Sequence, residues 1–85
     1  MRNKWYIAVG NIILNYFKLL FQRRNGYIYY QIGCSFEYLD IFEEAIYYLT
    51  RAIHFGFKNE DLYHRLGFSY KVLSKYEKAI EAYSE

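Results

Sequence analysis

The chain has 85 residues, of which 54% are hydrophobic and 24% are aromatic, and its formal charge is +2 at pH 7. This length predicts one small domain with room for about five short helices. The charge is too small to indicate a nucleic-acid partner, and no basic run exceeds Arg23-Arg24. The single cysteine, Cys34, excludes an internal disulfide bond and favours a reducing compartment, so we expect a cytoplasmic protein.

Residues 1–25 form the first predicted segment, which consists mainly of one apolar helix over residues 5–21. Its polar positions share one narrow stripe, made of Asn11, Asn15, Lys18 and Gln22. We expect this stripe to face water and the broad apolar face to cover the helices that follow. Asn11 and Asn15 stand where the repeat described below would have Ala45 and Leu49, so the segment is expected to lie outside that repeat.

Three roles remain open for this helix. It caps the following helices or pairs with another copy of the chain, which the polar stripe favours. Alternatively, it lies on a membrane surface, because Arg2 and Lys4 precede the apolar run and Arg23 and Arg24 follow it. The run from position 5 to position 21 is short for a membrane span, and polar side chains interrupt it. A cleaved secretory signal is disfavoured, because no convincing small-residue cleavage site follows the run.

From position 26 onward the sequence repeats at a constant offset of 34 in the numbering. The matching pairs are Tyr29 and Tyr63, Ile32 and Leu66, Gly33 and Gly67, Phe36 and Tyr70, Phe42 and Tyr76, Ala45 and Ala79, Ile46 and Ile80, and Leu49 and Tyr83. Bulky residues recur every three or four positions around a small one, which predicts antiparallel helix pairs whose apolar faces close against a neighbour. We expect one unit at 26–59 and a second at 60–85, shortened at its C-terminal end.

The first helix of each unit, helix A, is expected to pack on the second, helix B, through the Gly and Ala positions, Gly33 and Ala45 in the first unit. Since the chain has no proline, Gly56 as a helix stop and Asn59 as an N-cap should form the bend between units. At the end of the second unit we expect partly uncovered apolar side chains, at Tyr76, Ile80 and Tyr83.

These spaced positions resemble the tetratricopeptide repeat family over residues 26–85. The resemblance lies in Tyr29, Ile32, Gly33, Phe36, Phe42, Ala45, Leu49 and Ala52, and in Tyr63, Leu66, Gly67, Tyr70, Tyr76, Ala79 and Tyr83. Residues 75–80 are similar to the family's usual opening of helix B, whereas Phe57 stands near the position where the family often has proline. The resemblance implies an all-α solenoid of helix-turn-helix units. It also implies a non-enzymatic scaffold that binds a peptide or a helix of a partner protein in a concave groove.

Helix A lines that groove in the family, which implies ten groove residues here: Tyr27, Tyr30, Gln31, Cys34, Glu37, Asp61, His64, Arg65, Phe68 and Lys71. Family members that grip the carboxylate tails of heat-shock chaperones use Lys and Asn at the matching places, where only Arg65 is suitable in this chain. We therefore expect an aromatic groove for a peptide with apolar anchors. Tyr30, Cys34, His64 and Phe68 should form one binding face, unless the N-terminal helix covers some of the aromatic residues.

No spacing in the chain indicates an enzyme, a cofactor site or a metal site. His54 and His64 lie on different predicted helices, and the chain contains no zinc-ligand pattern, P-loop or dinucleotide fingerprint. Two alternative functions remain. One is a self-assembly module, because two units are fewer than the three or so that a repeat array usually needs, and either further units downstream or another copy of the chain would supply the missing cover. The other is an adaptor attached to a membrane by the N-terminal helix.

Overall fold

The structure is a computed structural model that describes residues 4–85. Within that range all regular secondary structure is helical, as the sequence predicts. The helices are α1 (Trp5–Leu19), α2 (Gly26–Tyr38), α3 (Phe42–His54), α4 (Glu60–Val72) and α5 (Tyr76–Tyr83). The repeat offset separates both ends of α2 from the corresponding ends of α4, and it separates the start of α3 from the start of α5. The offset in the sequence is therefore also an offset between helices.

Asparagine side chains begin both A helices. Asn59 Oδ1 accepts a hydrogen bond from Leu62 N at 2.8 Å, which confirms Asn59 as the N-cap of α4. Asn25, the equivalent residue of the first unit, caps α2 by accepting from Tyr27 N at 3.0 Å, a cap that the sequence analysis did not identify. Gly56 follows the end of α3 with a φ of +88°, the left-handed conformation that glycine adopts without steric cost, and this confirms it as a helix stop.

The turn between helix A and helix B has the same backbone geometry in both units. Asp40 has a φ of 61° and Ser74 a φ of 62°, so a residue with a side chain occupies the left-handed region in each turn. In the second unit Lys75 N donates to Tyr70 O at 2.8 Å, and the matching bond in the first unit measures 2.9 Å. These bonds close a Schellman-type helix end, which fixes the reversal of direction between the paired helices.

The helices pack in chain order, each against the next, and α2 also touches α4. The core of both units contains Leu49, Ala52, Leu62, Leu66 and Ala82. Gly33 and Gly67 mark where helix A approaches helix B most closely, because a Cβ on either would lie within 2.8 Å of a side chain of the partner helix. That side chain is Leu49 in the first unit and Tyr83 in the second. The expected pairing of helix A with its own helix B is confirmed, but the glycine faces Leu49 or Tyr83 and not an alanine.

Two further pairs of buried residues follow the repeat, although they are not framework positions of the sequence pattern. Ile28 and Leu62 are one pair, and Ser35 and Ser69 are the other. They extend the buried surface of each A helix beyond the stripe that faces its own helix B. At the end of the second unit Tyr76, Ile80 and Tyr83 are exposed, as the sequence predicts.

The orientation of α1 differs from the prediction. Its buried residues are Ala8, Ile12 and Asn15, whereas the large apolar residues on the other sides of the helix are exposed. The expectation that the broad apolar face covers α2 is therefore wrong. The polar stripe faces water at Asn11, Lys18 and Gln22, as expected, but Asn15, in its middle, is only 3% exposed. Asn15 tolerates burial in part because its Nδ2 donates to Asn11 O at 2.8 Å, within the same helix. None of the helices in residues 4–85 is both long and apolar enough to cross a membrane.

The position of α1 along the chain follows the repeat offset. Moving Trp5–Leu19 by this offset gives 39–53, which overlaps most of Phe42–His54, the span of α3. α1 packs against α2, as α3 packs against α4. In this alignment Asn15 corresponds to Leu49, and both side chains are buried. α1 thus stands beside α2 in the way that a helix B stands beside the next helix A.

Candidate functional site

The candidate site is the surface along α2 and α4, where the ten predicted groove residues lie. Of these, Tyr30, Gln31, Cys34, Glu37 and Arg65 are half-buried, whereas Tyr27, Asp61, His64, Phe68 and Lys71 are exposed. Since α2 and α4 are in contact, the middle part of each helix contributes to one continuous surface.

A network of hydrogen bonds joins α2 to α4 across this surface. The Tyr30 hydroxyl donates to Asp61 Oδ2 in a short hydrogen bond. Arg65 Nε donates to the same carboxylate oxygen at 2.6 Å, and Arg65 Nη1 donates to Glu37 Oε1 at 2.8 Å. Arg65 therefore bridges carboxylates from both helices, and its guanidinium is held in one orientation. All four residues were predicted as groove residues, but the bonds between them were not predicted.

The network changes the proton affinity of its members. Burial favours the neutral acid at Asp61, but the hydrogen bonds from Tyr30 and Arg65 outweigh it and lower the pKa of that carboxyl. Burial and the hydrogen bond to Asp61 raise the pKa of Tyr30. Burial also raises the pKa of the Cys34 thiol to about 11, although Arg65 acts in the opposite direction. At neutral pH the phenol and the thiol are both protonated, so the surface presents hydrogen-bond donors and apolar area and no activated nucleophile.

A cleft of about 310 Å³ lies beside this network, between α1 and the two A helices. Its walls are Cys34, Ser35 and Tyr38 from α2, Arg65 from α4, and Lys4, Ile7, Ala8 and Asn11 at the start of α1. Cys34 and Arg65 were predicted as site residues, whereas the contribution of α1 was not. The repeat offset between α1 and α3 could have indicated it, because a helix B flanks the groove-lining helix A of the next unit.

Aromatic rings fill the surface at the start of α2. The Tyr30 and Phe57 ring centroids are 4.9 Å apart, and those of Tyr27 and Phe57 are 5.4 Å apart. Gln31 Nε2 donates to the Tyr27 hydroxyl at 3.2 Å, which joins a further side chain to the cluster. Phe57, at the position where the family often has proline, thus packs on α2 from the loop between the units.

The four expected face residues make different contacts. Tyr30 and Cys34 are four positions apart on α2, so their side chains lie on the same side of that helix. His64 instead packs on Tyr83 of α5 at 5.7 Å between ring centroids, in a separate open cavity. Phe68 packs edge-on against Phe42 of α3 at 5.9 Å. His64 also shares that cavity with Asp61, the partner of Tyr30, so the single binding face stays a prediction.

The described residues contain no group of three or more His, Cys, Asp or Glu side chains placed to hold a metal ion. The arrangement of rings, fixed cation and cleft is suited to holding another molecule by contact. Comparisons with protein-family models, with curated proteins and with solved structures found no match to this chain.

Proposed function

We propose that this chain is a non-enzymatic binding scaffold of tetratricopeptide-like helix pairs, which holds a peptide or a helix of a partner protein along α2 and α4. The cleft beside Cys34 and Arg65 is the observation that carries the proposal. We further propose that it acts in the cytoplasm, where an unpaired thiol such as Cys34 stays reduced.

The repeated geometry supports a repeat scaffold. Helix starts, asparagine caps and left-handed turn residues all recur at the repeat offset, so the two units share their local structure as well as their sequence spacing. Repeat scaffolds of this kind build extended surfaces for partners from equivalent faces of successive units. Here the equivalent faces are those of α2 and α4, which touch each other.

The size and lining of the cleft support an apolar side chain of a peptide as its occupant. At about 310 Å³ it is at the lower limit for a ligand pocket, which suits one anchoring side chain better than a whole cofactor. Ile7, Ala8 and Tyr38 provide apolar contact, and the Arg65 guanidinium borders them. Because hydrogen bonds to Asp61 and Glu37 already hold Arg65, peptide binding would cost little conformational entropy of the Arg65 side chain.

The test uses a peptide selected from a phage-displayed random library against the immobilised chain, then synthesised with a fluorescent label. Replacing Tyr30 and Phe68 with Ala should weaken its binding by about 1–4 kcal/mol in total, measured by fluorescence anisotropy, because both rings belong to the A-helix surface. Tyr47→Ala is the matched control, since Tyr47 is an equally large exposed ring on α3. Saturating peptide should also slow the alkylation of Cys34, the only thiol in the chain.

Equal affinity of the parent and the Tyr30/Phe68 variant would exclude the A-helix surface as the site. Unprotected Cys34 in the presence of bound peptide would place the anchor outside the cleft.

Self-assembly is a second candidate function, favoured by the exposed apolar end of the second unit. Tyr76 and Ile80 are 61% and 65% exposed, although they occupy repeat positions that are more covered in the first unit. A second copy that covered them would bury apolar surface that is otherwise in water. Sedimentation equilibrium at several concentrations should then show a mass above the monomer that Tyr76→Gln with Ile80→Gln removes. A monomer at every concentration would eliminate this candidate.

A further inference from the structure

α1 presents an apolar stripe on the side turned away from the rest of the protein. Ile13 and Phe17 are 64% and 62% exposed, and Tyr6 lies on the same side of the helix. Phe21, in the turn after the helix, continues the stripe and is 83% exposed. Successive residues of this stripe are four or seven positions apart, so their side chains project in one direction. The side of α1 that packs on protein therefore contains an asparagine beside Ala8 and Ile12, whereas the side that faces outward is aromatic and aliphatic.

The charged residues of the chain are divided between its two parts. Residues 1–36 contain five basic residues, Arg2, Lys4, Lys18, Arg23 and Arg24, and no Asp or Glu. All nine acidic residues lie in residues 37–85, together with six basic ones. The formal charge is thus +5 before residue 37 and −3 after it, which agrees with the +2 of the whole chain. The apolar stripe belongs to the positive part.

The dimensions of α1 restrict what the stripe can contact. Fifteen residues form a helix about 22 Å long, which is shorter than the hydrocarbon core of a bilayer at about 30 Å. One side of the helix is already packed on α2, through Ala8, Ile12 and Asn15. A surface contact with α1 lying flat satisfies both conditions.

We propose that the outward face of α1 docks on an anionic lipid bilayer, with the helix parallel to the membrane plane. The stripe enters the boundary between head groups and acyl chains, as amphipathic interfacial helices do. Lys18, with Arg23 and Arg24 in the following loop, contacts acidic head groups, and each charge adds to the attraction near the surface. Trp5 and Tyr6 are exposed at the start of α1, and their amphipathic rings suit the interface between lipid and water.

The charge distribution disfavours a second copy as the occupant of this face. Pairing α1 with α1 would bring together two sets of Lys and Arg without any carboxylate in the same segment, and like charges repel. The face is also separate from the peptide cleft, which takes Ile7 and Asn11 from α1 but neither Ile13 nor Phe17. Lipid binding and peptide binding can therefore succeed or fail independently.

The experiment measures co-sedimentation of the full chain with vesicles of phosphatidylcholine and phosphatidylserine mixed about two to one, and with vesicles of phosphatidylcholine alone. Trp5 is the only tryptophan and lies on α1, so its emission reports on the contact directly. We expect binding to the anionic vesicles with a blue shift of Trp5, and at least about tenfold weaker partition onto the neutral ones. Raising the salt to about 1 M should weaken the anionic binding, because it shortens the screening length.

Phe17→Gln with Phe21→Gln should lower the partition coefficient on anionic vesicles at least about tenfold, because it removes apolar area without adding charge. Tyr47→Gln with Val72→Gln is the matched control: it removes two exposed apolar residues from the acidic part of the chain and should change the partition less than about twofold. Circular dichroism checks that each variant remains helical. Lys18→Gln with Arg23→Gln provides a second variant that leaves the apolar stripe intact and should weaken binding only to the anionic vesicles.

Three results would overturn the proposal. The first is no partition of the parent onto anionic vesicles, and the second is equal partition of the Phe17/Phe21 variant and the parent. The third is a dimer by light scattering that the Phe17/Phe21 variant abolishes, without any lipid-induced shift of Trp5, which would assign the face to a second copy.

Discussion

Gly33→Ala tests directly how closely α2 approaches α3. A Cβ at position 33 would lie 2.8 Å from both Cγ and Cδ2 of Leu49 and 3.1 Å from its backbone nitrogen. The optimal separation of two non-bonded carbon atoms is about 3.5–4.0 Å, so these distances are repulsive. Leu49 is fully buried, so its side chain has no open space into which it could turn. The substitution therefore requires either a new Leu49 rotamer or a wider separation of the two helices.

Two effects of opposite sign determine the size of the change. Alanine is favoured over glycine inside a helix by about 1 kcal/mol, whereas overpacking a core typically costs about 1–3 kcal/mol. Gly10→Ala measures the first effect alone, because Gly10 lies within α1 and a Cβ there would meet nothing within 4 Å. We expect Gly10→Ala to raise the free energy of unfolding by about 1 kcal/mol. The change in the free energy of unfolding caused by Gly33→Ala should be about 1–3 kcal/mol less favourable than the change caused by Gly10→Ala.

Urea denaturation followed by far-ultraviolet circular dichroism gives the required free energies, with the m-value as a check on two-state unfolding. In a Leu49→Ala background Gly33→Ala should be less unfavourable than in the parent, since Cγ and Cδ2 are gone and only the backbone nitrogen at 3.1 Å remains close. The stability change caused by Gly67→Ala should lie between those caused by Gly10→Ala and Gly33→Ala. The Tyr83 ring that its Cβ would meet is partly exposed and can rotate. If Gly33→Ala stabilises the parent as much as Gly10→Ala does, the close approach at Leu49 is refuted.

Three other predictions concern single side chains. Ser74→Gly should raise the free energy of unfolding by up to about 1 kcal/mol in the same denaturation assay, because Ser74 has a left-handed φ of 62°; Ser84→Gly, at a right-handed position, should give no gain. Iodoacetamide should alkylate Cys34 at least about tenfold more slowly in the folded chain than in urea, since burial raises its pKa to about 11 and lowers the thiolate fraction; equal rates would contradict the burial. Asp61→Asn should lower stability at pH 7, and its deficit should shrink as the pH falls below the ordinary Asp pKa of about 3.9, because the lowered pKa of Asp61 stabilises the fold only while the carboxyl is ionised. A deficit that stays constant from pH 7 to pH 3 would mean that the Asp61 charge contributes nothing.

The two repeat units could be predicted because short-range features encode them. Asn59 and Gly56 act on neighbouring backbone atoms, so their roles follow from residue type and position in the chain. The bond between Tyr30 and Asp61 could not be predicted in the same way, because its partners lie on different helices and the contact depends on how α2 and α4 pack. The same reason explains His64, whose direction is set by contact with Tyr83. In this chain the sequence indicates which helix faces form the site, and tertiary packing decides which side chains meet there.

The orientation of α1 was predicted wrongly because helical periodicity measures how apolar a face is and not whether the face fits its neighbour. The apolar side of α1 is broad and carries rings at Tyr6, Phe17 and Phe21, whereas the side with Ala8 is narrow. Close packing of two helices favours small side chains at the contact. The side that contains Ala8 therefore packs on α2, and Asn15 is buried with it.

Asn15→Leu tests this arrangement, because the alignment of α1 with α3 places Asn15 where Leu49 stands. The Oδ1 atom of Asn15 is buried and accepts no hydrogen bond from another described residue, which typically costs about 1–3 kcal/mol. A leucine removes that cost and adds apolar contact with α2, at the loss of the bond from Nδ2 to Asn11 O. We expect the free energy of unfolding to rise by about 1–2 kcal/mol. Asn11→Leu, at an exposed position on the same helix, should change it by less than about 0.5 kcal/mol. A loss of stability in Asn15→Leu would mean that the site is too small for a helix B residue, and that α1 only adjoins the repeat without occupying a position in it.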